Sequence, residues 1–234
     1  MEFTTKKIAE KIWAIEDAIV RSFLLVGEDR AILVDTCMGG DILSACRTIT
    51  DKPITLITTH SDPDHIGCDH QFSEQYLHTA EVARYKSCSK GEFHAQTMEE
   101  GDTFRVGEYC LEVIWIPGHT PGSVALLDRK HRFLISGDTV QTDCIYMYGE
   151  LRSLRDFRTS VDKLEQLRRT GAFDILYPSH GEAVVTAEIL PDHIALADEI
   201  LGGTAVPVGP APEWFPDTVK TYRHGRAQMF AQME

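Results

Sequence analysis

The sequence predicts one domain of mixed strands and helices, α/β or α+β in class. Three observations predict it. Short apolar runs of strand length recur at residues 19–26, 30–35, 54–57, 111–116, 133–135 and 173–177. Apolar residues fall at helical spacing around Ile42, Cys46 and Ile49, around Phe157, Val161, Leu164 and Leu167, and over 192–201. A chain of 234 residues, 43% hydrophobic, buries a sizeable core without demanding a second one. The whole chain, 1–234, therefore reads as a single domain, with 203–234 as a C-terminal extension packing on it.

Residues 19–26 and 30–35 flank Gly27-Glu28-Asp29, a polar break that predicts a hairpin. A helix is expected over 41–50, and Pro53 opens the strand 54–57. That strand runs into Thr58-Thr59-His60-Ser61-Asp62-Pro63-Asp64-His65-Ile66-Gly67. Gly67 and the polar residues after it read as a helix start, and 69–75 as a short helix. Thr79 reads as the cap of another helix carrying Val82 and Tyr85. Residues 87–103, polar and holding His94, read as a loop or a ragged helix. Strands follow near 104–106 and 109–116, then a hairpin, 124–127 and 133–135, across Asp128-Arg129-Lys130. Residues 141–155 have no clear period. The Phe157 helix stops at Gly171, and helix 192–201 has Gly202 past its end. Residues 203–217, rich in Pro and Gly, read as a surface loop. Thr218 to Phe230 reads as a strand or a helix.

Asp and Glu number 36 against 23 Lys and Arg, an excess of 13 negative charges. That disfavours nucleic acid and anionic membrane surfaces as partners. It leaves an anionic small substrate open, since metal ions can dominate a local field. Charged residues, Glu2, Lys6, Lys7, Glu10 and Lys11, stand where a signal peptide carries its apolar region. No stretch approaches a membrane span. The six cysteines form no C-x-x-C pair. Without an export signal they are expected to be reduced and the protein cytoplasmic.

Four ligand-capable side chains, His60, Asp62, Asp64 and His65, sit within six residues at the end of a strand. Gly118-His119-Thr120-Pro121-Gly122-Ser123, Ser136-Gly137-Asp138-Thr139 and Pro178-Ser179-His180-Gly181 follow three further apolar runs. Strand ends can aim several side chains at one point from a rigid backbone. His60-x-Asp62-x-Asp64-His65, followed in order by His119, Asp138 and His180, resembles the metallo-β-lactamase superfamily of metal-dependent hydrolases, over roughly residues 18–185.

The resemblance implies an α+β fold, a four-layer αββα sandwich of two mixed sheets face to face with helices outside. It implies a first metal on His60, Asp62 and His119, a second on Asp64, His65 and His180, and Asp138 bridging them. Imidazoles and carboxylates suit zinc first, and also iron and manganese. A bridging hydroxide would attack a small ester, lactone, thioester or phosphodiester, with Asp64 as the catalytic residue that positions it. The partner implied is a small-molecule substrate; a homodimer through 203–234 stays open. Glyoxalase-II-like activity is not expected, because the last thirty residues offer only Lys220, Arg223 and Arg226 as cations. A β-lactamase role is not expected without an export signal.

The family usually has Asp-Thr-Gly where this chain has Asp35-Thr36-Cys37. The resemblance makes Asp35 a support for the metal loop; a simple turn residue is the alternative. Asp62 is the larger departure, since the family most often has His there. A shorter, charged ligand would neutralise the site, weaken its Lewis acidity and favour harder ions. It would otherwise be a hydrogen-bonding loop residue. The flavodiiron branch carries Glu at this position and binds iron, and the eighteen residues between His119 and Asp138 resemble that branch too. A di-iron redox or oxygen-responsive protein, here without a flavodoxin-like domain, is therefore the alternative function, and a non-catalytic metal-binding module a third.

Six histidines, His70, His78, His94, His131, His193 and His224, fall outside the motifs and read as surface or satisfied residues. Cys68 reads as a thiolate ligand or, more simply, a small buried apolar residue. Tyr146 or Tyr148 could polarise a substrate carbonyl, and Arg152 or Arg155 could meet a carboxylate or phosphate. Packing on the Phe157 helix is the alternative for each.

Overall fold

The computed structural model describes residues 2–88 and 94–233. Residues 89–93, inside the expected 87–103 loop, lie outside the described residues. Alternation of apolar side chains builds the core. In β3 (Arg21–Val26) and β4 (Ala31–Val34), Phe23, Leu25, Ile32 and Val34 face one apolar cluster, and Leu24, Ala31 and Leu33 face another. In β10 (Val124–Asp128) and β11 (Phe133–Gly137), Val124, Leu126, Phe133 and Ile135 face the first cluster, and Ala125, Leu127 and Leu134 a third. A strand's period of two thus gives each sheet two buried faces. The shared cluster is the seam between two sheets packed face to face.

The first sheet has seven strands in chain order: β1 (Thr4–Ala9), β2 (Ile12–Glu16), β3, β4, β5 (Ile54–Ile57), β6 (Gln75–His78) and β7 (Gln96–Met98). It is antiparallel from β1 to β4 and parallel from β4 to β7. The second sheet has six strands and adds β8 (Thr103–Val106), β9 (Tyr109–Trp115), β13 (Ile175–Pro178) and β14 (Val185–Thr186) to β10 and β11. Helix α1 (Ile42–Arg47) covers the outer face of the first sheet through Ile42 and Cys46. Tyr85 of α3 (Val82–Cys88) packs with Leu77 of β6. Helices α4 (Leu154–Arg169) and α5 (Leu190–Leu201) cover the second sheet. The architecture is the expected αββα sandwich.

Several elements differ from expectation. The helical turn in the metal loop is α2 (Pro63–Ile66), which ends before Gly67 where a helix start was expected; Pro63 at its first position pre-sets the turn. The expected helix over 69–75 is a 3₁₀ turn, Asp69–Gln71, and Gln75 begins strand β6. Gln75 Nε2 donates to Asp69 O (2.8 Å) and Phe72 O (2.6 Å), closing that turn with a side chain. The turn before α3 is capped by His78, whose ring accepts from Ala80 N, not by Thr79. The stretch without a clear period contains β12 (Cys144–Met147). It pairs in parallel with β17 (Ala227–Ala231) in a four-stranded third sheet with β16 (Lys220–His224) and β15 (Gly209–Pro210). The C-terminal stretch is therefore a β-hairpin, and its Tyr222, Ala227 and Met229 join the cluster under α4 and α5. Among the described residues no helix is long and apolar enough to cross a membrane.

Candidate metal centre

Every predicted ligand lies just past a strand at one edge of the sandwich. His60 and Asp62 follow β5, Asp64 and His65 ride on α2, His119 lies between β9 and β10, Asp138 follows β11, and His180 follows β13. Two glycines let these loops close. A Cβ on Gly67 would lie 2.1 Å from Met38 O, so only glycine lets the metal loop pass the segment after β4. Gly118, at φ 138°, leaves space that a Cβ would take from Phe157 N at 2.3 Å.

All seven predicted residues converge. His60 Nε2 lies 3.6 Å from Asp62 Oδ2 and 3.9 Å from Asp138 Oδ2. His119 Nε2 lies 3.2 Å from Asp62 Oδ2 and 3.6 Å from Asp138 Oδ2. On the other side, His65 Nε2 is 3.3 Å from Asp138 Oδ1 and 3.8 Å from Asp64 Oδ2. His180 Nε2 is 3.3 Å from both Asp64 Oδ2 and Asp138 Oδ2. A tetrahedral ion with bonds of about 2.0–2.2 Å holds its ligand atoms about 3.3–3.6 Å apart, so these spacings fit two neighbouring ions. His60, His119 and Asp138 form one group with ligand atoms within 4.8 Å of one another, and Asp64, His65 and His180 form a second. Nε2 of His60, His65 and His119 and Oδ1 of Asp138 are buried and without a hydrogen-bond partner among the described residues. Buried polar atoms are rarely left so, and a metal ion is what this donor set fits.

The other ring nitrogens are all engaged, which turns each Nε2 inward. His65 Nδ1 meets Asp35 Oδ2 at 2.8 Å, His60 Nδ1 meets Thr59 Oγ1 at 3.0 Å, His119 Nδ1 meets Tyr146 O at 3.2 Å, and His180 Nδ1 meets Ile19 O at 2.7 Å. Asp35 also accepts from Thr59 N and Thr59 Oγ1, both at 2.7 Å. It is the support for the metal loop rather than a turn residue. Asp35 and Cys37 both sit at positive φ, 61° and 57°. Left-handed backbone costs a non-glycine residue about 1–3 kcal/mol, which gives a physical reason for glycine at the second position elsewhere.

Burial resists charge throughout the centre. For His119, burial and then the Arg152 guanidinium push the ring down to about 4. For His180, burial is outweighed by Asp138 and Asp64, which raise the ring to about 10. For Asp138, burial is outweighed by His180 and His65, and the carboxyl lies well below the usual range.

A cavity of about 720 Å³ opens on the centre and is lined in part by Asp62, Asp64, Asp138 and His180. A family model described as the metallo-β-lactamase superfamily matches residues 16–180. The chain belongs to the metallo-β-lactamase superfamily.

Within the superfamily, the chain is similar to an acyl-coenzyme A thioesterase of Gallus gallus, 24% identical over 222 residues, covering 76% of this chain and 80% of that one. It is similar to a hydroxyacylglutathione hydrolase of Gloeobacter violaceus, 30% identical over 130 residues, covering 53% of this chain and 51% of that one. Its fold matches a metallo-β-lactamase from Pontibacter korlensis with a TM-score of 0.71 at 20% identity, over 84% of this chain and 99% of that one. The chain is a metallo-β-lactamase-fold hydrolase.

Asp62 is where this member departs from the superfamily pattern, and the structure shows what accompanies it. Arg152 Nη2 donates to Asp62 Oδ2 at 2.5 Å, and Arg84 Nη2 donates to Asp62 Oδ1. Arg152 also donates to His119 O. Burial opposes the charge of Asp62, yet the adjacent His119 and His60 rings hold its carboxyl well below the usual range. The expected neutralisation of the site is thereby corrected: two guanidiniums offset the charge that Asp62 adds. Arg152 meets a carboxylate of its own chain, not one of a substrate. Arg155 lines a separate cavity.

Two residues escaped the sequence reading. Arg84 is one. Glu81, fully buried, is the other: it accepts from Ser61 N (3.0 Å) and Ser61 Oγ (2.7 Å), and from Thr120 Oγ1 (3.0 Å) and Gly122 N (2.8 Å). It ties the His60 loop to the His119 loop. Both lie about twenty residues past the motif in an ordinary helical stretch; an acid and a base three apart was the faint local signal. Cys68 is fully buried in the apolar cluster beside α1, its Sγ on Gly40 O at 3.4 Å, and is the small apolar residue of the two options. Tyr146 and Tyr148 pack on Phe215 of the C-terminal segment, not on the Phe157 helix.

Proposed function

We propose that the chain is a binuclear metal-dependent hydrolase, zinc-loaded, acting on a small ester, lactone, thioester or phosphodiester. The convergence of unpartnered, buried Nε2 atoms on the Asp138 carboxylate carries this reading. His60, Asp62 and His119 would hold one ion and Asp64, His65 and His180 the other, with Asp138 shared. When bound, two such ions supply a water acidified toward neutral pH and a Lewis acid for the substrate's acyl or phosphoryl oxygen. Asp64 lines the cavity, with a side chain 20% exposed, and its carboxyl is held below the usual range by His65 and His180 against the pull of burial. It is suited to orient the attacking water more than to keep its proton. Tyr146 also lines the cavity; burial raises its phenol, so it keeps a proton to donate to a substrate oxygen. The six cysteines are free thiols, which fits a reducing compartment such as the cytoplasm.

The test is hydrolysis of an ester, lactone, thioester and phosphodiester panel by zinc-loaded protein, with Asp64→Asn alongside. Turnover that needs metal, and a kcat lowered about 10²-fold or more in the variant, supports the reading. Turnover unaffected by a chelator, or none on any substrate by fully loaded protein, overturns it.

A further inference from the structure

The cavity wall beyond the ligands is acidic and apolar. Glu16, Asp17 and Asp143 line it, against a single guanidinium among the described residues, Arg21. Arg21 is only 8% exposed: Nε donates to Glu16 at 2.5 Å, Nη1 to Pro178 O at 2.8 Å and Nη2 to Gly181 O at 3.0 Å. It braces the His180 loop, with three of its five N–H donors engaged, and its charge is paired with Glu16. Arg84 and Arg152, the other nearby guanidiniums, are spent on Asp62. Asp17 is fixed as an acceptor, Oδ1 taking Ile19 N at 2.8 Å and Val20 N at 3.0 Å.

The remaining wall offers Ile19, Met38, Tyr146 and Trp214, which are 56%, 41%, 40% and 74% exposed. The Tyr146 and Phe230 rings lie 5.2 Å apart, tilted at 32°, and Phe215 bridges them to Trp214. Exposed apolar side chains beside a few convergent polar groups are what ligand sites present.

We infer that the cavity takes neutral or positively charged substrates bearing an apolar or aromatic group, and rejects anionic carriers such as coenzyme A and glutathione. This rests on the hydrolase reading for the bond broken, but not for the preference itself. An acidic rim whose one guanidinium, among the described residues, is paired with Glu16 repels a remote phosphate or carboxylate and steers a cation inward. The relatives named for acyl-coenzyme A and hydroxyacylglutathione would then differ from this chain in the wall.

The test uses three carboxamide analogues of one aryl ester, identical but for a remote tert-butyl, trimethylammonium or sulfonate group. Sulfonate is chosen because it is a poor metal ligand. Binding to the zinc-loaded protein is read by calorimetry. Neutral and cationic analogues should bind at least about tenfold more tightly than the anionic one at low salt, and the gap should shrink in about 1 M salt. Trp214→Ala should weaken all three, and Asp143→Lys should narrow the gap. Equal or tighter binding of the sulfonate, or a gap unmoved by both salt and Asp143→Lys, overturns the inference. Binding is read without turnover. Protein that binds with this preference yet hydrolyses nothing in the ester, lactone, thioester and phosphodiester panel would overturn the hydrolase reading alone.

Discussion

Replacing Asp62 by Asn removes one charge at nearly constant shape. The Arg84 and Arg152 side chains, 19% and 11% exposed, then lose their shared counter-ion. A hydrogen bond to a charged group contributes about 1.5–3 kcal/mol, and breaking a buried ion pair costs about 3–5 kcal/mol. Part is retained: Arg152 keeps His119 O, Arg84 Nε stays 3.8 Å from Glu81 Oε1, and Asn still accepts. The net loss is about 2–4 kcal/mol, or a Tm lower by about 4–16 °C for a chain of this size. Calorimetry in excess chelator measures it. The folded-state carboxyl lies below its unfolded value. Its contribution is therefore complete above the unfolded pKa of about 3.9 and lost only as pH falls through the folded one. The difference should be the same at pH 7 and pH 5.5. Were Asp62 only a ligand, removing one of three clustered carboxylates from metal-free protein would relieve repulsion and raise Tm. An unchanged or raised Tm for Asp62→Asn refutes the arginine clamp; adding Arg84→Gln and Arg152→Gln should recover most of the loss.

Asp35→Asn should weaken metal binding by about 10–100-fold through His65, read by competition with a chromophoric chelator; unchanged affinity would remove Asp35 from that role. Glu81→Ala should cost about 3 kcal/mol or more in denaturant unfolding, because four donors from two loops lose their acceptor. Gly67→Ala should cost more than about 3 kcal/mol or prevent folding, since the new methyl meets backbone; a stable variant would show that the loop gives way. Cys37 and Cys46 are buried, and burial raises both thiols to about 12. A disulfide-exchange reagent at pH 8 should modify neither in folded protein, and fast modification of either would contradict their packing.

Much of this was legible in the sequence, for reasons that particular residues show. Phe23 and Leu25 face the seam while Leu24 faces outward, and buried strands with this alternation declare themselves. The ligands declare themselves because each sits in a short glycine-bearing loop after such a run. Strand β1 did not, being an edge strand with Lys6 and Lys7, mostly exposed, where burial imposes no pattern. Strand β6 reads Gln-Tyr-Leu-His, and its Gln closes a preceding turn; its pairing with β5 is a tertiary fact. Strand β12 gains its partner from residues more than eighty positions away. Glu81 and Arg84 belong to the site only because the β6 crossover returns α3 to the metal loop. Asp62 looked like a loss of positive charge until its two arginines were seen.

The proposed mechanism needs two adjacent metal sites. Its most direct test is elemental analysis of protein equilibrated with buffered zinc and freed of loose metal, alongside His119→Ala and His180→Ala. About two ions per chain in the parent, and about one in each variant, is the expected result. Fewer than one ion in the parent, not raised by zinc, iron or manganese, would contradict it.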